Sequence, residues 1–205
     1  MKRDRLLFFA LILICLAVAG CTQMPAAPMN SGDVVIGHKL YNIDRLSYWK
    51  YNVTMATKDT NASWDMMVNN SIEDGTRHMG VYTLGNGMDI TYDVRSNVSS
   101  YKIDRMYANG TIGDYYQNRE VSPLQIFTLP DTGLSYYYVP FRDMGNVTIK
   151  GTGGNEAQAN VYSASDNRGF TVTYWVHPEI PAPVRIEMST SDFEIVMMLT
   201  DYKTQ

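Results

Sequence analysis

The sequence HMGVYTLGNGMDITYDV occupies residues 78–94 and carries the clearest local folding signal of the chain. Apolar residues take every second position of its second half: Met88, Ile90, Tyr92 and Val94. This period of two is typical of a strand that buries one face. An Asn86-Gly87 pair between two such runs favours a tight hairpin, because both residue types accept the positive φ of that turn. The segment therefore predicts two antiparallel strands.

The same alternation continues on both sides of this hairpin. Residues 49–55 and 64–72 predict two earlier strands joined by the polar segment 58–61. Residues 101–107 predict a later strand, which Ala108-Asn109-Gly110 would end. The chain around the hairpin is thus expected to form a meander of neighbouring strands.

The last third of the chain repeats this pattern. Further strands are predicted at residues 145–150, 157–165, 170–176, 184–188 and 193–202. The final strand contains four consecutive apolar residues, 196–199, and is expected to be buried on both faces. The middle of the chain is less regular, and residues 33–45 and 121–127 are compatible with helix. The prediction is one mainly β domain over residues 33–205, with α+β as the alternative.

The N-terminus has the three parts of a secretory signal peptide. Basic residues in Met1-Lys2-Arg3-Asp4-Arg5 precede an apolar run, residues 6–16, and small residues precede Cys21. Leu16-Ala17-Val18-Ala19-Gly20-Cys21 resembles the lipobox of prokaryotic lipoproteins, in which the cysteine is acylated and becomes the new N-terminus. The alternative is an uncleaved membrane helix, but the apolar segment is shorter than the roughly 20 residues a bilayer requires. We expect a signal peptide at residues 1–20, lipidation at Cys21 and a tether over residues 22–32, which is rich in Pro and small residues.

Charge and cysteine content narrow the functional classes. Loss of residues 1–20 would remove three basic residues and one acidic residue, and would change the net charge from −4 to −6. No basic cluster is left to bind nucleic acid. Cys21 would be the only cysteine of the mature chain, which excludes a disulfide framework. The expected location is the extracytoplasmic face of the membrane, with the lipid anchor as the membrane contact.

The C-terminal strands resemble a known family. Residues 174–188, which contain the corner His177-Pro178-Glu179-Ile180-Pro181, and the strand at 193–202 look like the final strands of LolA/LppX-like lipoprotein and lipid carriers. The resemblance covers about thirty residues. It implies a curved antiparallel sheet, a half-barrel or barrel with few or short helices, and an apolar cavity for acyl chains.

Aromatic side chains are the candidates for the lining of such a cavity. Tyrosine is abundant, at 15 residues. The candidate apolar ligand surface consists of Trp49, Trp64, Tyr136, Tyr138 and Trp175. Each of these side chains could equally belong to the hydrophobic core, which is the commoner location of large aromatic residues.

Six N-x-Ser/Thr sequons follow the tether, at Asn52, Asn61, Asn69, Asn97, Asn109 and Asn146. The 14 asparagines and 30 serines and threonines of the chain would give about two sequons by chance. Three acceptors are predicted on polar strand faces (Asn52, Asn69 and Asn146), and the others in turns. The sequons predict N-glycosylation, which would favour an archaeal cell surface. The alternative is that polar strand faces favour Asn and Thr without modification.

No motif for catalysis or metal binding is present. The three histidines, His38, His78 and His177, are far apart, and none has a second ligand at metal-binding spacing. Hydrolase motifs and phosphate-binding loops are also absent from the sequence. We therefore predict no enzymatic activity, no metal and no cofactor.

These observations give three hypotheses of function, in order. The first is a non-catalytic, membrane-anchored lipoprotein that binds an apolar ligand, a lipid or a lipidated partner on a concave sheet. The second is a structural or adhesion component of the cell envelope. The third is a surface hydrolase, which would require a catalytic group assembled from distant residues.

Overall fold

The computed structural model describes residues 34–36, 40–99, 103–121, 140–150, 156–166 and 169–205. Twelve strands and one short 3-10 helix, Ile43–Arg45, form within these ranges, which contain no α-helix. The strands are β1 (Val34–Ile36), β2 (Leu46–Thr57), β3 (Asn61–Glu73), β4 (Thr76–Gly85), β5 (Met88–Asn97), β6 (Ile103–Ile112), β7 (Tyr115–Glu120), β8 (Pro140–Lys150), β9 (Glu156–Ser165), β10 (Thr171–Val176), β11 (Pro183–Ser189) and β12 (Phe193–Thr204).

All of these strands belong to one sheet. Their order is β1-β8-β9-β10-β11-β12-β2-β3-β4-β5-β6-β7, and every neighbouring pair is antiparallel. The meander β2–β7 and the meander β8–β12 are joined where the last strand pairs with β2. The predicted fold class, a mainly β, curved antiparallel sheet with few or short helices, is confirmed.

One face of the sheet carries the hydrophobic core, and we call it the concave face. In β3, for example, Ala62, Trp64, Met66 and Val68 are buried, while the residues between them are exposed or half-buried. Buried side chains of this face extend through the sheet order from Phe141 on β8 to Ala108 on β6. These side chains are removed from water together, and we take the face that carries them as the inner side of the curved sheet.

The register of the Asn86-Gly87 hairpin agrees with the sequence prediction, whereas the end of the next strand does not. Met79 pairs with Val94 and Val81 with Tyr92 across the hairpin. Strand β6, however, continues through Ala108-Asn109-Gly110, which the sequence predicted as a turn. At φ +137°, Gly110 lies so close to β5 that a Cβ atom there would stand 2.2 Å from the carbonyl oxygen of Asp89. This glycine permits close strand approach and does not end the strand.

Three other expectations need correction. Of residues 196–199 of β12, only Met197 is buried and the other three are half-buried, so the strand is not buried on both faces. The window 33–45 contains a strand and a 3-10 helix where a helix was considered, and residues 122–127 of the other window lie outside the described ranges. Strand β7 was not predicted, because most of its side chains are exposed and leave no alternating pattern.

Candidate apolar-ligand site

Methionine is a major component of the concave face. Six methionines on six strands are buried there: Met66, Met79, Met88, Met106, Met188 and Met197. Methionine has an unbranched, flexible side chain that adapts to irregular apolar shapes. The concave face is therefore more adaptable than a core built from branched aliphatic side chains.

Two of the predicted aromatic residues lie on this face. Trp49 is fully buried near the middle of the sheet, and Trp64 is 8% exposed. The indole nitrogens of both residues and the hydroxyl of Thr83, also on the concave face, have no hydrogen-bond partner within the described part of the chain. Buried donors without acceptors are costly, by about 1–3 kcal/mol each. The hydroxyl of Ser96 on β5 is a fourth such atom, so the concave face combines apolar lining with four polar atoms that could donate to a ligand.

The aromatic candidate Trp175 does not share this face. Tyr174 points into the core and stacks on Phe141 with ring centroids 5.0 Å apart. Its neighbour Trp175 consequently points to the convex face, where the Arg185 guanidinium lies 5.1 Å from the indole ring. Strand alternation thus turns Trp175 away from Trp49 and Trp64. The proposed role of these residues as a ligand surface stays a prediction. Tyr136, Tyr138 and Cys21 lie outside the described residues.

The concave face is closed by polar contacts at the end where β2 begins and β3 ends. The segment 42–46, which we call the clasp, crosses this end. Its carbonyl oxygens on Ile43 and Leu46 accept hydrogen bonds from the Asn70 side-chain amide, at 3.2 and 2.7 Å. Its Asp44 carboxylate pairs with the guanidinium of Arg77. Arg77 is fully buried on β4, whereas the Asp44 side chain is 29% exposed, so the ion pair lies at the boundary between the core and water.

Two further parts of the chain hold the clasp in place. The Asn42 amide donates to the carbonyl of Pro181 in the corner before β11, at 3.2 Å. The side chain of Gln205, the last residue, donates to the carbonyl of Asp44, at 2.6 Å. The clasp therefore connects strands β3 and β4, the proline corner and the C-terminus. We call this end of the sheet the clasp end.

The opposite end, where β2 ends and β3 begins, is apolar. Six concave-face residues reach it and form what we call the rim: Met55, Met88, Ile112, Phe193, Ile195 and Ala62. Met55, Ile112 and Phe193 are only half-buried, in contrast to the fully buried side chains of the sheet centre. A groove of about 310 Å³ on the outside of the same end is lined by residues that include Thr54, Ser63 and Glu194.

The six sequons occupy the surface of the protein. Asn61, Asn69, Asn97, Asn109 and Asn146 are exposed, and Asn52 is half-buried. Asn109 lies inside β6, so the expectation that it lies in a turn was wrong. Asn61 and Asn97 are terminal strand residues next to connections between strands, and residues 98 and 99 form a turn. The Asn52 amide donates to Asp65, which also pairs with the Lys50 ammonium at 2.8 Å. This hydrogen bond from Lys50 is the main cause that lowers the pKa of Asp65.

The described residues show no arrangement for metal binding. No group of three His, Cys, Asp or Glu side chains among them could hold a metal ion. Asp89 and Asp93 are exposed on β5. None of the helices in the described ranges has the length and apolar character to span a membrane.

Comparisons with known proteins give distant structural likenesses. No family model and no curated protein matches the chain. A LolA superfamily protein from Nitrosomonas europaea aligns with a TM-score of 0.43 at 10% identity, over 82% of this chain and 90% of that one. A DUF1329 family protein from Desulfovibrio piger aligns with a TM-score of 0.43 at 8% identity, over 95% and 90% of the two chains. A domain named as an outer membrane lipoprotein-sorting protein, from Vibrio parahaemolyticus, aligns with a TM-score of 0.38 at 8% identity, over 77% and 84%. Likenesses at this level establish no shared function.

Proposed function

We propose that this protein is a lipid-anchored, extracytoplasmic domain without catalytic chemistry, and that its concave face binds the acyl chain of a lipid or of a lipidated partner. One observation carries the proposal: the methionine-rich concave face contains four buried hydrogen-bond donors, on Trp49, Trp64, Thr83 and Ser96, without acceptors in the described part of the chain.

The chemistry of this face fits an amphiphile better than a pure hydrocarbon. Acyl chains would pack against methionine side chains, which rearrange at low cost. An ester or amide carbonyl near the head of the chain would accept a hydrogen bond from Trp64 or Thr83, and so offset the cost of the unpaired donors. The side chains at the centre of the face exclude water, so a ligand must displace some of them as it enters.

The rim is the expected entrance. The clasp end is closed by the Arg77–Asp44 pair and by the hydrogen bonds of Asn70. At the rim, half-buried apolar side chains already contact water, and covering them with an acyl chain is favourable by about 25 cal/mol per Å².

The predicted anchor would keep the domain near its ligand. Twelve residues separate Cys21 from Val34, the first residue of β1. An extended chain spans at most about 3.5 Å per residue, so the domain would remain within about 40–45 Å of the lipidated cysteine. Replacement of Cys21 by Ser should release the protein from the membrane fraction. A Cys21→Ser protein that remained membrane-bound would contradict the anchor.

Lipid binding can be tested with the full-length protein purified in mild detergent. We expect mass spectrometry of an organic extract to show co-purified lipid, and a fluorescent fatty-acyl ester to bind saturably. The variant Trp64→Phe keeps the ring and removes its N–H, and should weaken binding of the ester more than binding of an alkyl ether of equal length. The matched control is Trp175→Phe on the convex face, which should change neither. Absence of both co-purified lipid and probe binding would overturn the proposal.

The second candidate function is a structural or adhesion component of the cell envelope. The exposed positions of five sequons favour it, because glycosylated surfaces are typical of envelope proteins. Proximity labelling from the intact protein should then identify neighbouring envelope proteins. A protein that labels none of them, yet carries lipid, would exclude this function in favour of the first.

A further inference from the structure

Three tyrosines lie on the convex face of the meander β2–β7, on the side opposite to the hydrophobic core. Tyr82 on β4 is 40% exposed, Tyr107 on β6 is half-buried, and Tyr116 on β7 is 60% exposed. Tyr82 and Tyr107 alternate with buried residues of their strands. Tyr116 pairs with Thr111, which lies an even number of residues after Tyr107 and therefore on the same side of β6. Exposed aromatic side chains that share one face mark an interaction site.

Hydrogen bonds hold two of these tyrosines along the surface of the sheet. The Tyr116 hydroxyl donates to the side-chain oxygen of Asn109, at 3.0 Å, and the Tyr107 hydroxyl donates to the side-chain oxygen of Asn118. Asn109 and Asn118 pair directly across β6 and β7. Each tyrosine side chain therefore crosses this strand pair diagonally and does not extend freely into the solvent.

The third tyrosine also lies against the sheet. A Cβ atom at Gly80 would stand 3.3 Å from both the Cε2 atom and the hydroxyl oxygen of Tyr82. The ring of Tyr82 thus occupies the space over Gly80, where no side chain competes with it. All three aromatic side chains are held on the convex face by contacts within the protein.

Amide groups lie next to these rings. The strand register places Tyr82 beside Thr91, Thr91 beside Asn109, and Asn109 beside Asn118. Both asparagines are exposed. Their side-chain oxygens accept hydrogen bonds from the tyrosines, whereas their Nδ2 amides donate to no group in the described part of the chain. Two amide donors are therefore available to a ligand that lies on the rings.

We propose that this surface, which we call the convex patch, binds a neutral oligosaccharide of β-linked sugars with the glucose configuration. Such sugars have equatorial hydroxyls and C–H groups on both ring faces, and the C–H groups pack on the electron-rich face of an aromatic ring. The Asn109 and Asn118 amides would donate to sugar hydroxyl oxygens. The proposal goes beyond acyl-chain binding and is independent of it, because the convex patch lies on the other face of the sheet.

Charge and size restrict the ligand further. Asp89 and Asp93 lie on either side of Thr91, are exposed, and form no ion pair within the described residues. Their carboxylates can accept hydrogen bonds from sugar hydroxyl groups, and they disfavour an anionic polymer. Neighbouring strands are about 4.8 Å apart, so β4 and β7 are separated by about 14 Å along the sheet. This width fits a chain of several sugars better than a single sugar ring.

The test is isothermal titration calorimetry of the full-length protein, purified in a mild detergent that contains no sugar. The protein is produced in a host without N-glycosylation, because a glycan attached to Asn109 would fill the convex patch. We expect saturable binding of cellohexaose or chitohexaose, and binding of the corresponding glucuronate oligomer that is weaker by about tenfold. Failure of both neutral oligosaccharides to bind would overturn the proposal, and so would tighter binding of the anionic oligomer.

Two neighbouring tyrosines supply a matched pair of variants. Tyr116→Ala removes a ring of the convex patch and should weaken oligosaccharide binding by about tenfold. Tyr115→Ala removes a ring that is 55% exposed on the opposite face of the same strand, and should leave binding within about twofold. Asn118→Asp keeps the acceptor of the Tyr107 hydroxyl, removes the amide donor and should also weaken binding. Equal losses in Tyr115→Ala and Tyr116→Ala would overturn the assignment of the site to the convex patch.

Discussion

The two ends of the concave face are closed by different kinds of interaction. At the clasp end, a buried arginine and an asparagine on β4 and β3 bind the backbone and the carboxylate of residues 42–46. At the rim, half-buried apolar side chains meet water without any comparable polar contact in the described residues. Polar contacts in a buried site are directional and are costly to break. Apolar contacts can be replaced by contacts with a ligand. We therefore expect the clasp end to be rigid and the rim to be the end at which side chains move aside for a ligand.

The largest expected effect is on the clasp. The variant Arg77→Ala removes one partner of the ion pair with Asp44 and leaves a cavity at a fully buried position, and should lower the free energy of unfolding by about 2–5 kcal/mol. Urea unfolding followed by circular dichroism measures the change. Arg95→Ala, at an exposed position of the neighbouring strand, is the matched control and should change stability by less than about 0.5 kcal/mol. If the clasp did not stabilise the fold, Arg77→Ala and Arg95→Ala would have the same free energy of unfolding.

The next effect concerns Asn70. Its side-chain amide binds two carbonyl oxygens of the clasp, and Asn70→Ala leaves both without this donor. We expect a loss of about 1–3 kcal/mol. Hydrogen exchange should also speed up at the amides of the clasp more than at those of the rim strands. If hydrogen exchange became faster by the same factor over the whole sheet, the clasp would not be a separate unit of local unfolding.

A pair of isoleucines on the concave side compares the two ends directly. Ile112 lies at the rim, and Ile72, which is 36% exposed, lies near the clasp end. Ile112→Asp should weaken binding of a fluorescent acyl probe at least tenfold, or about 1.4 kcal/mol, since it places a carboxylate in the expected entrance. Ile72→Asp should leave binding within about twofold. If Ile72→Asp weakened probe binding and Ile112→Asp did not, the entrance would lie at the clasp end.

The smallest expected change in stability comes from an ion pair that lies at neither end of the concave face. Lys50 lowers the pKa of Asp65 on the convex face, and the same hydrogen bond raises the pKa of Lys50. The pair therefore stabilises the fold above the unfolded-state pKa of Asp65, and this contribution is lost as acid protonates the folded carboxylate. Because both side chains are partly exposed, Asp65→Asn should cost less than about 1 kcal/mol at neutral pH. The difference from the parent protein should vanish in acid, as measured by thermal unfolding across a pH series.

Much of the sheet could be predicted because its signals are local. Residues 78–94 alternate with period two and contain an Asn-Gly turn, so strand, turn and buried face follow from neighbouring residues alone. Gly110 shows the limit of this reasoning. Its sequence context, Ala108-Asn109-Gly110, is typical of a turn, yet the residue lies within β6 because the backbone of β5 leaves no room for a side chain.

The candidate site was only partly predictable, because some of its features depend on contacts between distant strands. The methionines of the concave face follow from alternation within each strand. The separation of Trp175 from Trp49 and Trp64 depends on the register of strands far apart in sequence. The pairing of Arg77 with Asp44 has no sequence signal, because an arginine on a strand is normally expected at the surface.

The sequence by itself determined most of the strands and their apolar buried residues, the acidic charge and the positions of the sequons, since these depend on residue type and short-range spacing. It also carries the prediction of a lipidated Cys21. Only the tertiary structure decided that β12 joins the two meanders, that the clasp closes one end through Arg77 and Asn70, and that the rim remains apolar. The physical reason is that these features arise from contacts between residues more than twenty positions apart, whose meeting depends on strand register and sheet curvature.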